Sequence, residues 1–278
     1  MTAERRVILI TGCSSGIGQD LARRAAAHGH SVAATARRPE TLADLNAALK
    51  LQLDVTDPWS IERAVDAAYE YFGRVDVLVN NAGWAIRGAV EDVPDDTARA
   101  LFDVNVFGAV RVTRALLPRM RSQGGPPARI VNVGSIAPLL PFPGHGYYAA
   151  SKAALEALSD AMRHELAPFG IRVILVRPGP IRTAFSANAE SRSGPILSGS
   201  GSGSPYRRLY GEIKEVEAAL RGSEREPGAV SEVVLKAIGE RRPKPRYFAG
   251  VGWTTRALFA VRRVAMDPVI RRFHASAR

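Results

Sequence analysis

Tyr148 and Lys152 lie four residues apart, a spacing that places two side chains one above the other on one face of a helix. An ammonium beside a phenol favours the phenolate and lowers the phenol pKa from its usual value near ~10. A tyrosine tuned in this way exchanges a proton with an alcohol or carbonyl oxygen near neutral pH. Tyr147 is turned roughly 140° from the lysine face at 3.6 residues per turn, so Tyr148 is the better candidate. The pair alone is weak evidence, because ordinary helix surfaces contain many such pairs.

A glycine-rich turn near the N-terminus gives this pair its first context. The apolar run Val7–Thr11 predicts a buried parallel strand. It is followed at once by a turn that contains Gly12, Gly16 and Gly18, and then by a predicted helix that includes Leu21. Strand, glycine turn and helix in this order allow backbone N–H groups and the positive end of the helix dipole to approach a pyrophosphate. The spacing is Gly-x3-Gly-x-Gly, and a tight glycine turn without a ligand is the alternative.

The end of the predicted second strand, Ser31–Ala36, indicates which dinucleotide binds. In dinucleotide folds an acid roughly 20 residues after the glycines holds the adenosine ribose hydroxyls. This chain instead has Arg37 and Arg38, whose guanidinium groups suit a 2′-phosphate, and Ser14 can add a hydroxyl. We therefore expect NADP in preference to NAD; the alternative is a solvated arginine pair at a strand end.

The rest of the chain continues the alternation of strands and helices. Strands are predicted at 51–55, 75–79, 129–134, 171–176 and 246–249, and helices at 39–49, 58–72, 96–120, 148–169, 205–220 and 228–239. This pattern predicts an α/β protein with a single domain over residues 1–278. The domain is expected to be a Rossmann-type doubly wound parallel sheet of about seven strands with a C-terminal helical extension.

Polar and small residues follow several predicted strands, at the edge of the sheet where doubly wound folds bind ligands. Asp54 is placed to meet the adenine edge, Asn80–Gly83 forms a turn that can pass close to a ribose, and Ser135 ends the fifth strand. Asn105 lies inside the apolar pattern of a long helix, where asparagine is unfavourable and needs partners. A plain turn, and a helix-kink amide bonded to the backbone, are the structural alternatives.

Composition limits the class of protein. Of the net charge of +11, +9 comes from residues 241–278, where ten Lys/Arg accompany one acid, so nucleic-acid binding by the domain is not expected. The single cysteine, Cys13, suits a reducing compartment. The N-terminal apolar run is too short for a signal peptide, and no stretch approaches ~20 uninterrupted apolar residues. We expect a cytoplasmic protein.

Two C-terminal segments have separate interpretations. Residues 183–227 are expected to form a substrate lid, because Ser191–Ser204 is flexible by composition and lies beyond a strand end. Residues 250–278 form a basic extension, amphipathic over 253–266. This extension closes the substrate pocket, forms a subunit contact or rests on an anionic membrane surface as a peripheral contact.

Taken together, these motifs resemble those of the short-chain dehydrogenase/reductase family. They occur in family order over about residues 5–185; they are Thr11-Gly12-x3-Gly16-x-Gly18, Asp54, Asn80-Asn81-Ala82-Gly83, Asn105, Ser135, Tyr148-x3-Lys152 and Pro178-Gly179 with Thr183. The chain looks closest to NADP-preferring members that act on lipophilic alcohols and ketones, including 17β-hydroxysteroid and retinol dehydrogenases.

The resemblance implies an NADP(H)-dependent oxidoreductase that interconverts an alcohol and a ketone or aldehyde by hydride transfer. Tyr148 is then the general acid in reduction and the base in oxidation, Lys152 lowers its pKa and holds the nicotinamide ribose, and Ser135 positions the substrate oxygen. Asn105 holds a water that links Lys152 to solvent, and Thr183 bonds the nicotinamide carboxamide. The implied cofactor contacts are Gly12, Ser14, Ser15, Gly16, Ile17, Gly18, Arg37, Asp54, Val55, Asn81, Ala82, Gly83, Tyr148, Lys152, Pro178, Gly179, Ile181 and Thr183.

The remaining expectations concern partners and competing functions. A homodimer or homotetramer without a metal is expected from the resemblance, and His145 is expected at a loop surface rather than in the pocket. Leu139, Leu140, Phe142 and Phe185 favour a lipophilic substrate. A non-catalytic NADP-binding regulator is the main competing function, and the intact set of serine, tyrosine and lysine argues against it. A basic nucleic-acid-binding protein is disfavoured by the confinement of charge to the tail.

Overall fold

The computed structural model describes residues 5–198 and 204–252. Its strands are β1 (Val7–Ile10), β2 (Ser31–Ala36), β3 (Leu49–Gln52), β4 (Val77–Asn80), β5 (Arg129–Val133), β6 (Arg172–Pro178) and β7 (Arg246–Ala249). All pair in parallel in one sheet, in the order β3-β2-β1-β4-β5-β6-β7. The order reverses between β1 and β4, where doubly wound sheets bind ligands beyond their strand ends. The predicted Rossmann-type sheet is confirmed.

Helices cover both faces of this sheet. Within the described ranges they are α1 (Gly16–Ala27), α2 (Pro58–Phe72), α3 (Asp95–Phe102), α4 (Ala109–Ser122), α5 (Gly146–Glu165), α6 (Ala184–Leu197), α7 (Arg207–Leu220) and α8 (Gly228–Gly239). Successive side chains of β1 alternate between the faces. Ile8 packs in a core with Leu21 of α1 and Val234 of α8, whereas Leu9 packs with Leu116 of α4 and other residues of the opposite face. Because both faces are covered, β1 is apolar throughout.

The segment between β2 and β3 differs from the prediction. A helix was expected over 39–49, but only a short 3-10 turn forms, at Pro39–Leu42, and β3 begins at Leu49, two residues before the predicted strand. Leu-Lys-Leu-Gln alternates between half-buried and exposed side chains, which is the period of a strand with one solvated face. The expected helix was wrong because the chain forms turns after Leu42, where the Leu45 N–H bonds to the Leu42 carbonyl three residues back rather than to a carbonyl four residues back.

The long helix predicted over 96–120 is interrupted. Between α3 and α4 the backbone widens into a π-helical segment, Asp103–Gly108, which contains Asn105. Such segments insert an extra residue into a helix and occur often at functional sites. The polar residue in an apolar run thus marks the point where the helix departs from regular geometry.

The C-terminal half contains two further differences. The predicted helix 148–169 ends at Glu165, and a 3-10 turn at Ala167–Phe169 follows, because Pro168 cannot continue the α-helical hydrogen bonds. Residues 191–197, predicted to be flexible, belong to α6. Residues 199–203 and the amphipathic segment 253–266 lie outside the described residues. In the described part of the chain, no helix has the length and apolar character needed to span a membrane.

Candidate active site

A cavity of about 820 Å³ lies at the carboxyl ends of the strands. Most residues predicted for the site line it together; they are Gly12, Ser14, Ser15, Gly16, Ile17, Arg37, Asp54, Val55, Asn81, Ala82, Gly83, Ser135, Tyr148, Lys152, Pro178, Gly179, Ile181 and Thr183. Two predicted residues, Gly18 and Asn105, are buried behind its wall. Residues from distant parts of the sequence therefore converge where the fold predicts a ligand.

Tyr148, Lys152 and Ser135 form one wall of the cavity. Tyr148 and Lys152 lie in the first two turns of α5, and Ser135 follows β5 by two residues. Lys152 is only 5% exposed, and its Nζ donates a hydrogen bond of 2.9 Å to the Val133 carbonyl oxygen at the end of β5. The Ser135 hydroxyl accepts a hydrogen bond of 3.0 Å from the Ala137 backbone N–H and also contacts the Tyr148 hydroxyl. This wall presents a phenol and an alcohol side by side to any ligand in the cavity.

The ionisation of this wall is dominated by burial. Burial raises the pKa of Tyr148, and the hydrogen bond with Ser135 opposes that rise. Burial also lowers the pKa of Lys152 to about 8. The pKa of Tyr148 therefore lies above its ordinary value rather than below it, because desolvation of the phenol outweighs its hydrogen bond with Ser135. The effect of the Lys152 ammonium on the phenol stays a prediction.

Asn105 braces the loop that follows β4. Its Oδ1 accepts a hydrogen bond of 3.0 Å from the Trp84 N–H, while its Nδ2 donates to the Trp84 carbonyl at 2.9 Å and to the Ser151 hydroxyl at 3.1 Å. A Cβ on Gly83 would lie 3.0 Å from Asn105 Oδ1 and 3.6 Å from Lys152 Nζ. The structure thus bears out the backbone-bonded amide, and the water relay implied by the resemblance stays a prediction.

The glycine turn is fixed by the residues that end β1 and β4. The Thr11 hydroxyl accepts hydrogen bonds of 3.0 Å from the backbone N–H groups of Asn81 and Ala82. The Asn81 amide donates to the carbonyls of Thr11 at 2.9 Å and Gly12 at 3.0 Å. Thr11 belongs to the predicted motif but was not predicted as a site residue; its position at the strand end was the available signal.

The glycines of this turn leave no room for side chains. Gly12 has a φ of +73°, and a Cβ there would lie 2.9 Å from the Ala82 Cα. Gly16 has a φ of +59° and opens α1, and a Cβ on it would lie 3.1 Å from Thr183. The bare backbone and the exposed helix N-terminus fit a phosphate-bearing dinucleotide, because neither a side chain nor a side-chain cap covers the first N–H groups.

The far end of the cavity carries a cation beside β2. Arg37 is exposed and lines the cavity, and its side chain forms no ion pair with any described residue. Arg38 is also exposed but does not line the cavity. The Asp54 carboxylate accepts hydrogen bonds from the Thr56 N–H at 2.9 Å and hydroxyl at 2.7 Å. This end therefore offers one available guanidinium and one carboxylate already held by the protein.

Apolar residues that sequence reasoning missed also line the cavity, beside charged residues such as Glu190 and Arg192. The additional lining residues include Trp84, Ile136, Leu209 and Ile213, the last two from α7, together with the expected Leu140, Phe142 and Phe185. His145, expected at a loop surface, also lines the cavity, because it immediately precedes α5 and the tyrosine. No local pattern identifies the α7 residues, since their contacts depend on the tertiary fold.

Replacement of Gly18 by Ala is expected to weaken dinucleotide binding. A Cβ at this position would lie 2.3 Å from the Gly12 carbonyl oxygen and 2.5 Å from Asn81 Nδ2, so the turn must shift. We expect about tenfold weaker NADPH binding, equivalent to about 1.4 kcal/mol, in a fluorescence titration. Gly211→Ala is the control, because a Cβ on Gly211 meets no atom within 4 Å. Equal affinity of Gly18→Ala and the control variant would contradict this account.

The buried ammonium is expected to make stability depend on pH. Lys152 has a pKa of about 8 in the fold and 10.5 as its ordinary value, so the unfolded chain binds more protons between these values. The contribution of this group to the free energy of unfolding therefore rises with pH through that window. Between about pH 7 and 10, the wild type should gain about 2 kcal/mol relative to Lys152→Met, in urea unfolding without cofactor. Parallel pH curves for the two proteins would refute the prediction.

Comparisons with known proteins agree with this geometry. A family model described as short chain dehydrogenase matches residues 6–194. Human 17-beta-hydroxysteroid dehydrogenase type 1 is 35% identical over 277 residues, covering 95% of this chain and 81% of the human protein.

Two solved structures extend the likeness to the fold. A short-chain dehydrogenase from Burkholderia cenocepacia J2315, in complex with NADP, has a TM-score of 0.74 and 26% identity and covers 98% of each chain. A short-chain dehydrogenase/reductase from Burkholderia phymatum, in complex with NAD, has a TM-score of 0.77 and 26% identity over 98% of this chain and 96% of that one. The chain therefore belongs to the short-chain dehydrogenase/reductase family and is an NAD(P)-dependent oxidoreductase that acts on CH–OH groups.

Proposed function

We propose that this protein is an NADP(H)-dependent oxidoreductase that interconverts a lipophilic secondary or primary alcohol and the corresponding ketone or aldehyde. The observation that carries the proposal is the convergence of Ser135, Tyr148 and Lys152 on one wall of a cavity whose other end carries Arg37. A non-catalytic binding protein has no need for a phenol and an alcohol aimed at its ligand.

The proposed reaction divides its work among the residues of that wall. The Ser135 hydroxyl donates to the substrate oxygen, and Tyr148 gives its proton to that oxygen in reduction and removes it in oxidation. Nicotinamide, when bound, supplies the hydride chemistry. Lys152 provides an ammonium that stabilises negative charge developing on the tyrosine, and Asn105 holds the loop beside it.

The NADP preference rests on Arg37. Its guanidinium lines the cavity at the end of β2 without an ion pair among the described residues, so it is available for a 2′-phosphate. An acid in this place would favour the free ribose hydroxyls of NAD. NADP preference in turn favours reduction as the physiological direction.

The lipophilic substrate rests on the apolar end of the cavity. Phe185 lies 5.8 Å from the Tyr148 ring, centroid to centroid, and Leu209 and Ile213 of α7 complete the wall. Apolar walls with a few convergent polar groups favour a ligand with an apolar body. The human relative's name, a 17-beta-hydroxysteroid dehydrogenase, points in the same direction.

The wider organisation completes the proposal. Residues 183–227 act as the substrate lid of a single catalytic domain, supported by the position of α6 and α7 over the cavity. We place the enzyme in the cytoplasm as a homodimer or homotetramer.

The basic extension, 250–278, has three alternative roles: closure of the pocket, a subunit contact, or contact with an anionic membrane surface. Co-sedimentation with anionic vesicles at low and high salt tests the membrane contact, and no binding at low salt would exclude it.

Tyr148→Phe is expected to remove the acid and base while leaving the ring in place. Turnover of ketones with NADPH should fall on the order of 10²- to 10⁴-fold, the usual range for loss of a general acid. Tyr147→Phe is a matched control, because Tyr147 packs beside α3 and does not line this cavity. Absorbance of NADPH with a panel of ketones measures both variants. Full turnover by Tyr148→Phe would rule out the proposed mechanism.

Arg37→Ala is expected to change the choice of cofactor. Loss of a charged hydrogen bond to the 2′-phosphate should raise the KM for NADPH by about tenfold and leave the KM for NADH nearly unchanged. Arg38→Ala is the matched control, since Arg38 is exposed but does not line the cavity. An equal effect of Arg37→Ala on both cofactors would count against the phosphate contact.

A further inference from the structure

Arg192 is a cation of the cavity to which the reaction proposed above gives no role. It projects from α6, lines the same cavity as Tyr148 and lies over the Trp84 ring, with its guanidinium carbon 4.8 Å from the ring centroid. Trp84 is itself anchored, because its backbone N–H and carbonyl both bond to Asn105. Because the Trp84 backbone is fixed, stacking on its ring holds the Arg192 guanidinium in a defined orientation.

The charge of Arg192 is not neutralised by the described protein. Its side chain forms no ion pair with a described residue, and the Asp103 carboxylate, which also lines the cavity, already pairs with Arg111 at 2.6 Å. Glu190 and Glu224 also line the cavity; Glu190 is two residues away on α6, a spacing at which helical side chains do not face each other. A guanidinium presented to a ligand cavity without a carboxylate partner suits an anionic group on the ligand.

The surroundings favour the substrate as the source of that anion. The cofactor-binding features lie at the glycine turn and Arg37, at the ends of β1 and β2. Trp84 instead follows β4 and packs beside Ile86, Leu101 and Tyr147. The apolar side chains on the walls, among them Leu140, Phe142 and Leu209, belong to the same cavity. A ligand that reaches both Tyr148 and Arg192 must combine an apolar body with a negative end.

We propose that Arg192 binds a carboxylate carried by the substrate, so that the favoured substrates are hydroxy or oxo acids with an apolar body. This inference rests on the proposed function, because it assigns an end to the substrate of the same site. Arg192 is a specificity-determining residue in this account and takes no part in proton transfer. Arg192 is exposed, and solvent screens an exposed ion pair, so its contribution to the binding free energy of the carboxylate is small.

Binding of a non-reacting carboxylate tests the inference without turnover. The wild type, saturated with NADP, is titrated calorimetrically with octanoate and with octanamide, which has the same body but no charge. We expect octanoate to bind about fivefold more tightly, the upper range for an exposed ion pair. Arg192→Gln should remove this preference, and Arg192→Lys should keep part of it, since lysine retains the charge but stacks less well. Arg208→Gln is the matched control, because Arg208 lies on α7, pairs with Glu212 and does not line the cavity.

Each other outcome overturns the inference. Equal binding of octanoate and octanamide by the wild type, no measurable binding of octanoate, or a preference that survives in Arg192→Gln would each do so. A separate titration with NADPH distinguishes the other anion source: weaker NADPH binding by Arg192→Gln with the octanoate preference intact would assign Arg192 to the phosphates of the dinucleotide. Failure of the proposed reaction gives a different result: the wild type then consumes no NADPH with neutral ketones or with oxo acids.

Discussion

The buried ammonium of Lys152 is the constraint around which the site is arranged. An ammonium loses its hydration when it is buried, and within the described residues Lys152 donates to one protein acceptor, the Val133 carbonyl at 2.9 Å. This loss of hydration disfavours the charged form and lowers the pKa of Lys152 to about 8. Because that carbonyl is the last of β5, the lysine remains in place only while the start of α5 stays docked against the end of the strand. Tyr148, one turn earlier on the same helix, is positioned by the same docking.

A second buried polar network holds α5 at the required rotation. Asn80, at the end of β4, donates to the Thr113 hydroxyl at 3.1 Å and to Asn132 Oδ1 at 2.9 Å. Asn132, on β5, donates in turn to the Ser159 hydroxyl on α5 at 2.8 Å. Apolar packing alone tolerates a rotation of the helix, whereas a buried chain of hydrogen bonds is satisfied in few arrangements. This network explains why Tyr148 faces the cavity while its neighbour Tyr147 packs beside α3.

The features predictable from sequence are those whose physics is local. The glycine turn, the strand ends and the four-residue spacing of tyrosine and lysine each depend on neighbours in the chain, and the structure brings them together. The net direction of the Tyr148 pKa shift was not predictable from its spacing to Lys152, because spacing shows a nearby charge but not the burial of the phenol. The helix expected over 39–49 stops at a 3-10 turn, Pro39–Leu42, and the hydrogen bonds that follow close turns rather than helix, which residue types alone did not show.

The contacts that escaped prediction join distant segments. Trp84 and Arg192 are more than a hundred positions apart, and nothing near either residue indicates that the ring and the guanidinium meet. The π-helical segment around Asn105 was visible only as an unfavourable amide in an apolar run. The sequence marks Asn105 as an unusual residue, but only the tertiary fold supplies the partners of all three.

The two halves of the cavity are built in different ways, and this difference limits how each can change. The dinucleotide half is formed by backbone, where even a methyl group at Gly12 or Gly18 meets neighbouring atoms closer than van der Waals contact. The other half is lined by side chains, among them those of α6 and α7, so its shape can change without disturbing the sheet.

The helices α6 and α7 are nevertheless coupled to Tyr148. The Tyr210 hydroxyl donates to the Asp92 carboxylate and accepts from the Ala89 N–H, which ties α7 to the loop after β4. Phe185, at the start of α6, packs against the Tyr148 ring and contributes to its burial. Because burial raises the pKa of Tyr148, movement of α6 away from the ring hydrates the phenol and removes the cause of that rise. Packing of α6 on the ring and the protonation of Tyr148 are thus linked through the same desolvation, which favours the protonated phenol.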